Sequence, residues 1–305
     1  MTDHPSVLAP VSKALDWTGK VLFRPFEIEK WLVLGFCAWL AWLGEHSFRN
    51  ASWDRGFDED FESSYREASG WILDNLAFIM TVVGVILVVA FAFWLLLLWL
   101  SSRGKFMFLD GVLHDRAAVK EPWGRFSVAG NSLFVVRAVV AIGMFVLFVS
   151  LTALFLAAVI PIDFDEITPA VVLPFVFWLA AMMALGFAGA LFAMTVTDFI
   201  VPIMWIRGCD VKTAFQECGA LVSANAGTFL LYLLFKILLA LLYIVIGCIS
   251  TCITCCLVAV PYVGTVILLP LFVFHRAYSS YFLAQFSPDF AALAPEISPE
   301  PTQQV

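Results

Sequence analysis

The long uncharged stretches decide what this chain can fold into. Asn75 to Ser102 contains no charged residue, Ala138 to Ile162 contains none, and Gly219 to Phe274 contains only Lys236. A helix that spans a bilayer needs about 20 apolar residues. Lipid offers no partner to a free backbone N–H or C=O, so such stretches cross as helices. Composition agrees: 62% of residues are hydrophobic and 13% charged, against about 45–50% and about 25% in a soluble domain. We therefore expect an all-α integral membrane bundle of about six transmembrane helices, forming one membrane domain over residues 31–286. The formal charge of −7 argues against nucleic acid as a partner.

Between the first two runs lies a basic and aromatic collar, Ser101 to Arg137. It gathers Arg103, Lys105, Arg116, Lys120, Arg125 and Arg137 among Phe106, Phe108, Trp123, Phe126 and Phe134. Glu45 to Asp74 is the opposite: eight acidic residues face only Arg49, Arg55 and Arg66. Lys and Arg in short connections favour the cytoplasmic side. The collar is thus expected in the cytoplasm, the acidic loop outside, both termini cytoplasmic, and the whole in a cell inner or plasma membrane. The acidic triplet Asp58-Glu59-Asp60 lacks the central glycine of a calcium loop and reads as a solvated face.

Taken in order, residues 1–30 do not have the pattern of a signal peptide. Val7, Leu8, Val11, Leu15, Val21 and Leu22 recur among Lys13, Asp16, Lys20 and Arg24, the spacing of an amphipathic helix lying in the membrane interface. Six spans are expected at about 31–44, 75–100, 132–160, 170–197, 228–250 and 256–275, with amphipathic cytoplasmic connectors. The first is short for a span. The fourth is rich in small residues, Ala180 to Ala193, which permit close helix approach. Residues 287–305, with four prolines, are expected to be a disordered tail.

The two cytoplasmic connections resemble each other. Val119-Lys120 leads to Trp123, Asn131, Phe134 and Arg137, and Val211-Lys212 leads to Phe215, Asn225, Phe229 and Lys236. This suggests a parallel internal repeat, an arrangement in which sites lie between the repeats.

Candidate residues follow from charge at a membrane surface or within it. Arg103, Lys105, Lys120, Arg125 and Arg137 are candidate contacts for lipid headgroups or a partner. Arg137, one to two turns inside its span, also has the snorkelling reading. Lys236 lies deeper, and an ionisable residue at that depth is a functional candidate, for a ligand or for proton coupling, with Asp198 and Glu217 as expected partners. Asp110 and His114 are four apart and share a helix face, without a nucleophile at recognisable spacing. Cys248, Cys252, Cys255 and Cys256 cluster near the fifth span's end. Cys252 and Cys255 have the spacing of a metal or redox pair but no second pair, so apolar thiols at a helix interface are the expected role. No metal or cofactor is expected.

The blocks SSRGKFMFLD, PW…GNSLFVVR, DFIVPIM and PYVGTVILLPLFVFHRAYSSYFLAQF resemble an uncharacterised family of bacterial and archaeal polytopic membrane proteins. That family is similar to membrane domains that accompany glycerophosphodiester phosphodiesterases. The resemblance implies a six-helix bundle. The phosphodiesterase chemistry would need a soluble barrel that this chain does not contain. A non-enzymatic membrane protein that engages anionic lipid or a partner, in membrane organisation or lipid homeostasis, is the expected function. A small transporter or channel using the interface between repeats is the alternative, and self-association or another membrane protein is an expected form of partnership.

Overall fold

The computed structural model describes residues 5–43, 76–159, 169–254, 260 and 262–295. Among them every regular element is helical. In chain order these are α1 (Ala9–Phe23), α2 (Ile28–Trp42), α3 (Leu76–Leu113), α4 (Lys120–Arg125), α5 (Ser127–Val159) and α6 (Pro169–Thr195). A π-helical turn (Val196–Ile200) leads into α7 (Val201–Arg207), followed by α8 (Val211–Ala224), α9 (Ala226–Ile253), α10 (Val263–Ile267), α11 (Leu269–Leu283) and a 3-10 turn (Pro288–Leu293). The acidic loop Glu45–Asp74, the turn at 161–168, Cys255 and Cys256 lie outside the described residues.

Among the described residues four stretches are long and apolar enough to cross a membrane: Gly84–Leu113, Ser127–Val159, Val172–Arg207 and Ala226–Ile253. No more than 17% of each apolar window is buried inside the protein. Val85, Val88, Phe145, Leu173, Leu238 and Leu241, for example, are exposed. Exposed apolar surface on this scale exceeds what a water-facing monomer carries and fits a membrane protein. The 38 residues of α3 extend about 57 Å at 1.5 Å per residue, well beyond a hydrocarbon core of about 30 Å. Each rod therefore has a lipid-length part and a part that projects past it.

The projecting parts carry the core. Phe106, Met107, Leu109 and Val112 of α3, Ile200, Ile203 and Met204 around the π turn and α7, and Val273, Tyr278, Phe282 and Leu283 of α11 are all buried. α11 is buried on every side from Val273 to Leu283 apart from His275, so it is the central helix of this half rather than an interfacial end. α1 packs against α11, where Tyr278 OH donates to Val7 O at 3.2 Å just ahead of α1, and is tied to α3 by Trp17 Nε1 donating to Val112 O at 3.0 Å. The inner face of the expected interfacial helix is thus turned onto the protein itself, while Leu8, Leu15 and Phe23 remain exposed.

α2 is 15 residues long, about 22 Å, and runs antiparallel along the Ser101–Leu113 length of α3. Lys30 forms an ion pair with Asp115 at one end, and Ser101 Oγ donates to Ala41 O at the other. The expected first span, 31–44, therefore lies beside the collar and not beside the apolar length of α3. In the expected sixth span, 256–275, helix is broken at Leu268, ahead of Pro270, and α10 packs on α2 through Val266 at Gly35. The tail also begins in order: Phe290 and Leu293 are buried and Tyr281 OH donates to Pro295 O, so apolar contacts hold residues 287–295 that composition alone assigned to disorder.

The two connections are alike in form. α4 turns into α5 and α8 into α9, and Arg137 and Lys236 each stand ten residues beyond the first residue of the long helix. Each reaches back to the preceding rod, Arg137 to Ser101 and Ser102 of α3, Lys236 to Asp198 of the π turn.

Candidate functional site

Burial changes over about one and a half turns of α3. Leu96 is 51% exposed and Ser101 is fully buried, and Trp99 and Arg103 stand at that boundary. The Arg103 guanidinium lies 4.3 Å from the Trp99 ring and 5.0 Å from that of Trp123, close enough for cation–π attraction on both. Arg103 Nη2 and Trp99 Nε1 both donate to Asn131 Oδ1, at 3.1 and 2.9 Å. Among the described residues no carboxylate pairs with Arg103 or Lys120, and Lys120 and Arg125 are exposed on the adjoining α4. Arg125 stands 3.9 Å from Asp110.

Lys105 and Arg137 correct the surface reading. Lys105 is 2% exposed, donates to Thr197 Oγ1 at 2.9 Å and lies over the Trp42 ring. Arg137 is buried and donates to Ser101 and Ser102 Oγ at 3.2 and 3.0 Å. The reason is close helix approach. Gly104 lets α2 lie directly on α3, and Gly130 brings α5 against Arg103, so side chains one turn further along are sealed in.

Lys236 sits in the densest group of buried ionisable side chains. Its Nζ is 2.8 Å from Asp198 Oδ2 and 2.7 Å from His275 Nε2, and His275 Nε2 is 3.4 Å from Asp198 Oδ1. Tyr232 OH donates to Asp198 Oδ2 at 2.9 Å. Arg276 donates to Thr197 O, and to Lys105 O at 3.1 Å. The π turn shapes this arrangement: Val201 N–H bonds Val196 O, one residue wider than an α-helix, and Asp198 within it is fully buried. Such wide turns recur at functional sites. Beside the group is a narrow cavity lined by Trp42, Lys105, Phe108, Thr197, His275 and Arg276, with room for about one water molecule. Of the expected partners Asp198 is in place, whereas Glu217 pairs with Arg207 at 2.9 Å.

His275 and Arg276 escape sequence reasoning because a basic pair among aromatics reads as a membrane interface. The available signal was that a buried aspartate–lysine pair leaves carboxylate lone pairs that need further hydrogen-bond donors.

A second node closes the collar. The buried Asp110 carboxylate accepts from Arg116 Nη2 at 2.7 Å and Nε at 3.2 Å and from Trp205 Nε1 at 3.3 Å, with His114 Nδ1 at 3.2 Å. All its partners hold it in place, and the arrangement reads as an anchor for the turn between α3 and α4. Cys248 and Cys252 are exposed free thiols, and among the described residues no group of His, Cys, Asp or Glu is arranged to hold a metal. A family model described as "Family of unknown function (DUF7544)" matches residues 6–288. No curated protein and no solved structure matches.

Proposed function

We infer, for a chain that belongs to the DUF7544 family and whose role has to be read from its own residues, a multi-pass membrane protein that binds anionic lipid headgroups without enzymatic action. The observation that carries this is Arg103, set against the rings of Trp99 and Trp123 at the level where α3 stops exposing apolar side chains. Tryptophan is enriched where hydrocarbon meets headgroup. A cation held there without a carboxylate partner among the described residues is matched by a lipid phosphate, with Lys120 and Arg125 adding to the local potential. Juxtamembrane Lys and Arg attract anionic headgroups by about 1 kcal/mol each. The membrane is the plasma membrane, with the collar and both termini on its cytoplasmic face.

The test is thermal unfolding of the full chain in phosphatidylcholine nanodiscs with and without phosphatidylglycerol. The anionic lipid is expected to raise the wild-type Tm, and Arg103→Ala or Lys120→Ala/Arg125→Ala to reduce that increment. An equal Tm in both lipids, or an increment untouched by these substitutions, rejects the reading.

A further inference from the structure

We propose that Asp198, Lys236 and His275 form a binding site for one proton at the joint between the π turn, α9 and α11. The argument starts from donors and acceptors. Lys236 Nζ can donate to Asp198 Oδ2 and to His275 Nε2 together, which makes Nε2 an acceptor and the ring neutral. Asp198 Oδ1 is then left with no hydrogen bond although it is fully buried and 3.4 Å from that same nitrogen. A buried acceptor without a partner is costly. A proton on Nε2 removes that cost: the ring donates to Oδ1, Lys236 gives up its bond to the ring and keeps the one to Oδ2. One proton enters, one positive charge is gained, and the carboxylate stays ionised between two cations.

Access is one-sided. The His275 side chain is 20% exposed and lines the water-sized cavity, whereas those of Lys236 and Asp198 are 5% and 0% exposed. His275 is therefore the member through which a proton enters. The ionisable groups around it are Asp198 of the π turn and Lys236 of α9 at its Nε2, Lys105 of α3 and Arg276 of α11 on the same cavity, and Tyr232 of α9 and Tyr278 of α11 against Asp198 and Lys236. Tyr243 of α9 adds its ring, centred 6.0 Å from that of His275, and its hydroxyl is another buried group without a partner.

The consequence falls on α9. Only Phe229, Tyr232, Lys236 and Leu239 of this 28-residue helix are buried, so the ionic contact is one of its few ties to the core. Proton uptake changes that tie from two hydrogen bonds on Lys236 to one, and it gives the protein a pH-dependent hold on a membrane-length helix.

The experiment is NMR of the full chain in nanodiscs with ring-labelled histidine, the His275 signal being the one missing from His275→Gln. As pH falls from about 8 to about 5, the range in which histidine changes charge, wild-type Nε2 should pass from unprotonated to protonated. Tyr232→Phe, which keeps the ring packing and the carboxylate, should retain the transition, and Asp198→Asn should lose it. If Asp198→Asn does not fold, the wild type and Tyr232→Phe still decide. A His275 Nε2 that stays unprotonated in either, or that still becomes protonated in a folded Asp198→Asn, overturns the proposal.

Discussion

Breaking the Asp198–Lys236 pair from one side leaves a charge in a sealed site. Asp198→Ala should cost about 3–5 kcal/mol, because Lys236 and Tyr232 both lose their acceptor. Removing both charges in Asp198→Asn/Lys236→Gln should cost clearly less, and chemical denaturation of the purified chain compares the two. Cysteine chemistry tests burial separately. Burial raises the Cys218 thiol from 9.0 to about 11. Only the thiolate attacks, so its labelling at neutral pH should be very slow and should rise about tenfold per pH unit up to about 11. Its partly exposed neighbour Cys209 is raised as well. Prompt labelling of Cys218 at neutral pH would mean that α8 does not pack as described. At this scale the sequence revealed which residues were unusual and only part of how they are joined. Lys236 and Asp198 stand out as ions in apolar surroundings, and their pairing is legible from that. His275 was not, since its partners come from two other rods and depend on a π turn that no spacing announces.

At the scale of elements, the backbone contact of α2 with α3 depends on the missing side chain at Gly104. A Cβ at Gly104 would lie 2.7 Å from Ala41 N and from Leu40 C, which are backbone atoms and cannot move aside. Gly104→Ala should therefore destabilise by about 1–3 kcal/mol, the usual cost of overpacking. At Gly124 in α4 a Cβ meets nothing within 4 Å. Gly124→Ala should be neutral or stabilise by up to about 1 kcal/mol, the helix-propensity gain, and thermal melts of the two variants in one detergent make the comparison. The four long rods were legible because uncharged runs have few other solutions. α2 and α11 were less so, since an apolar run of about 15 residues reads equally as a short span or as a buried core helix. Packing decides between them: α2 lies on the collar half of α3, and α11 is enclosed by α1, the π turn, α2 and α3.

For the whole molecule, hydrophobic burial drives packing only where water is the alternative, because lipid tails are as apolar as the side chains they would replace. That contrast matches the division of this chain. The rods remain exposed along their apolar lengths, and the dense core gathers α1, α2, α7, α11 and the projecting end of α3. Sidedness can then be argued from α3 alone. Its two ends are separated by more than a hydrocarbon thickness, so Leu76 and Lys120 lie on opposite sides however the remaining segments run. Arg24 belongs with Lys120, since Trp17 is bonded to Val112 and Lys30 to Asp115 at that end of α3. In a background with all seven cysteines replaced, a membrane-impermeant thiol reagent applied to intact cells should label Leu76→Cys. It should spare Lys120→Cys and Arg24→Cys until the cells are opened. Labelling of Lys120→Cys and Arg24→Cys instead would keep the fold and invert its orientation, because the two share a side by packing while the choice of side rests on the basic collar. Labelling that separates Arg24→Cys from Lys120→Cys would contradict the packing of α1 and α2 itself.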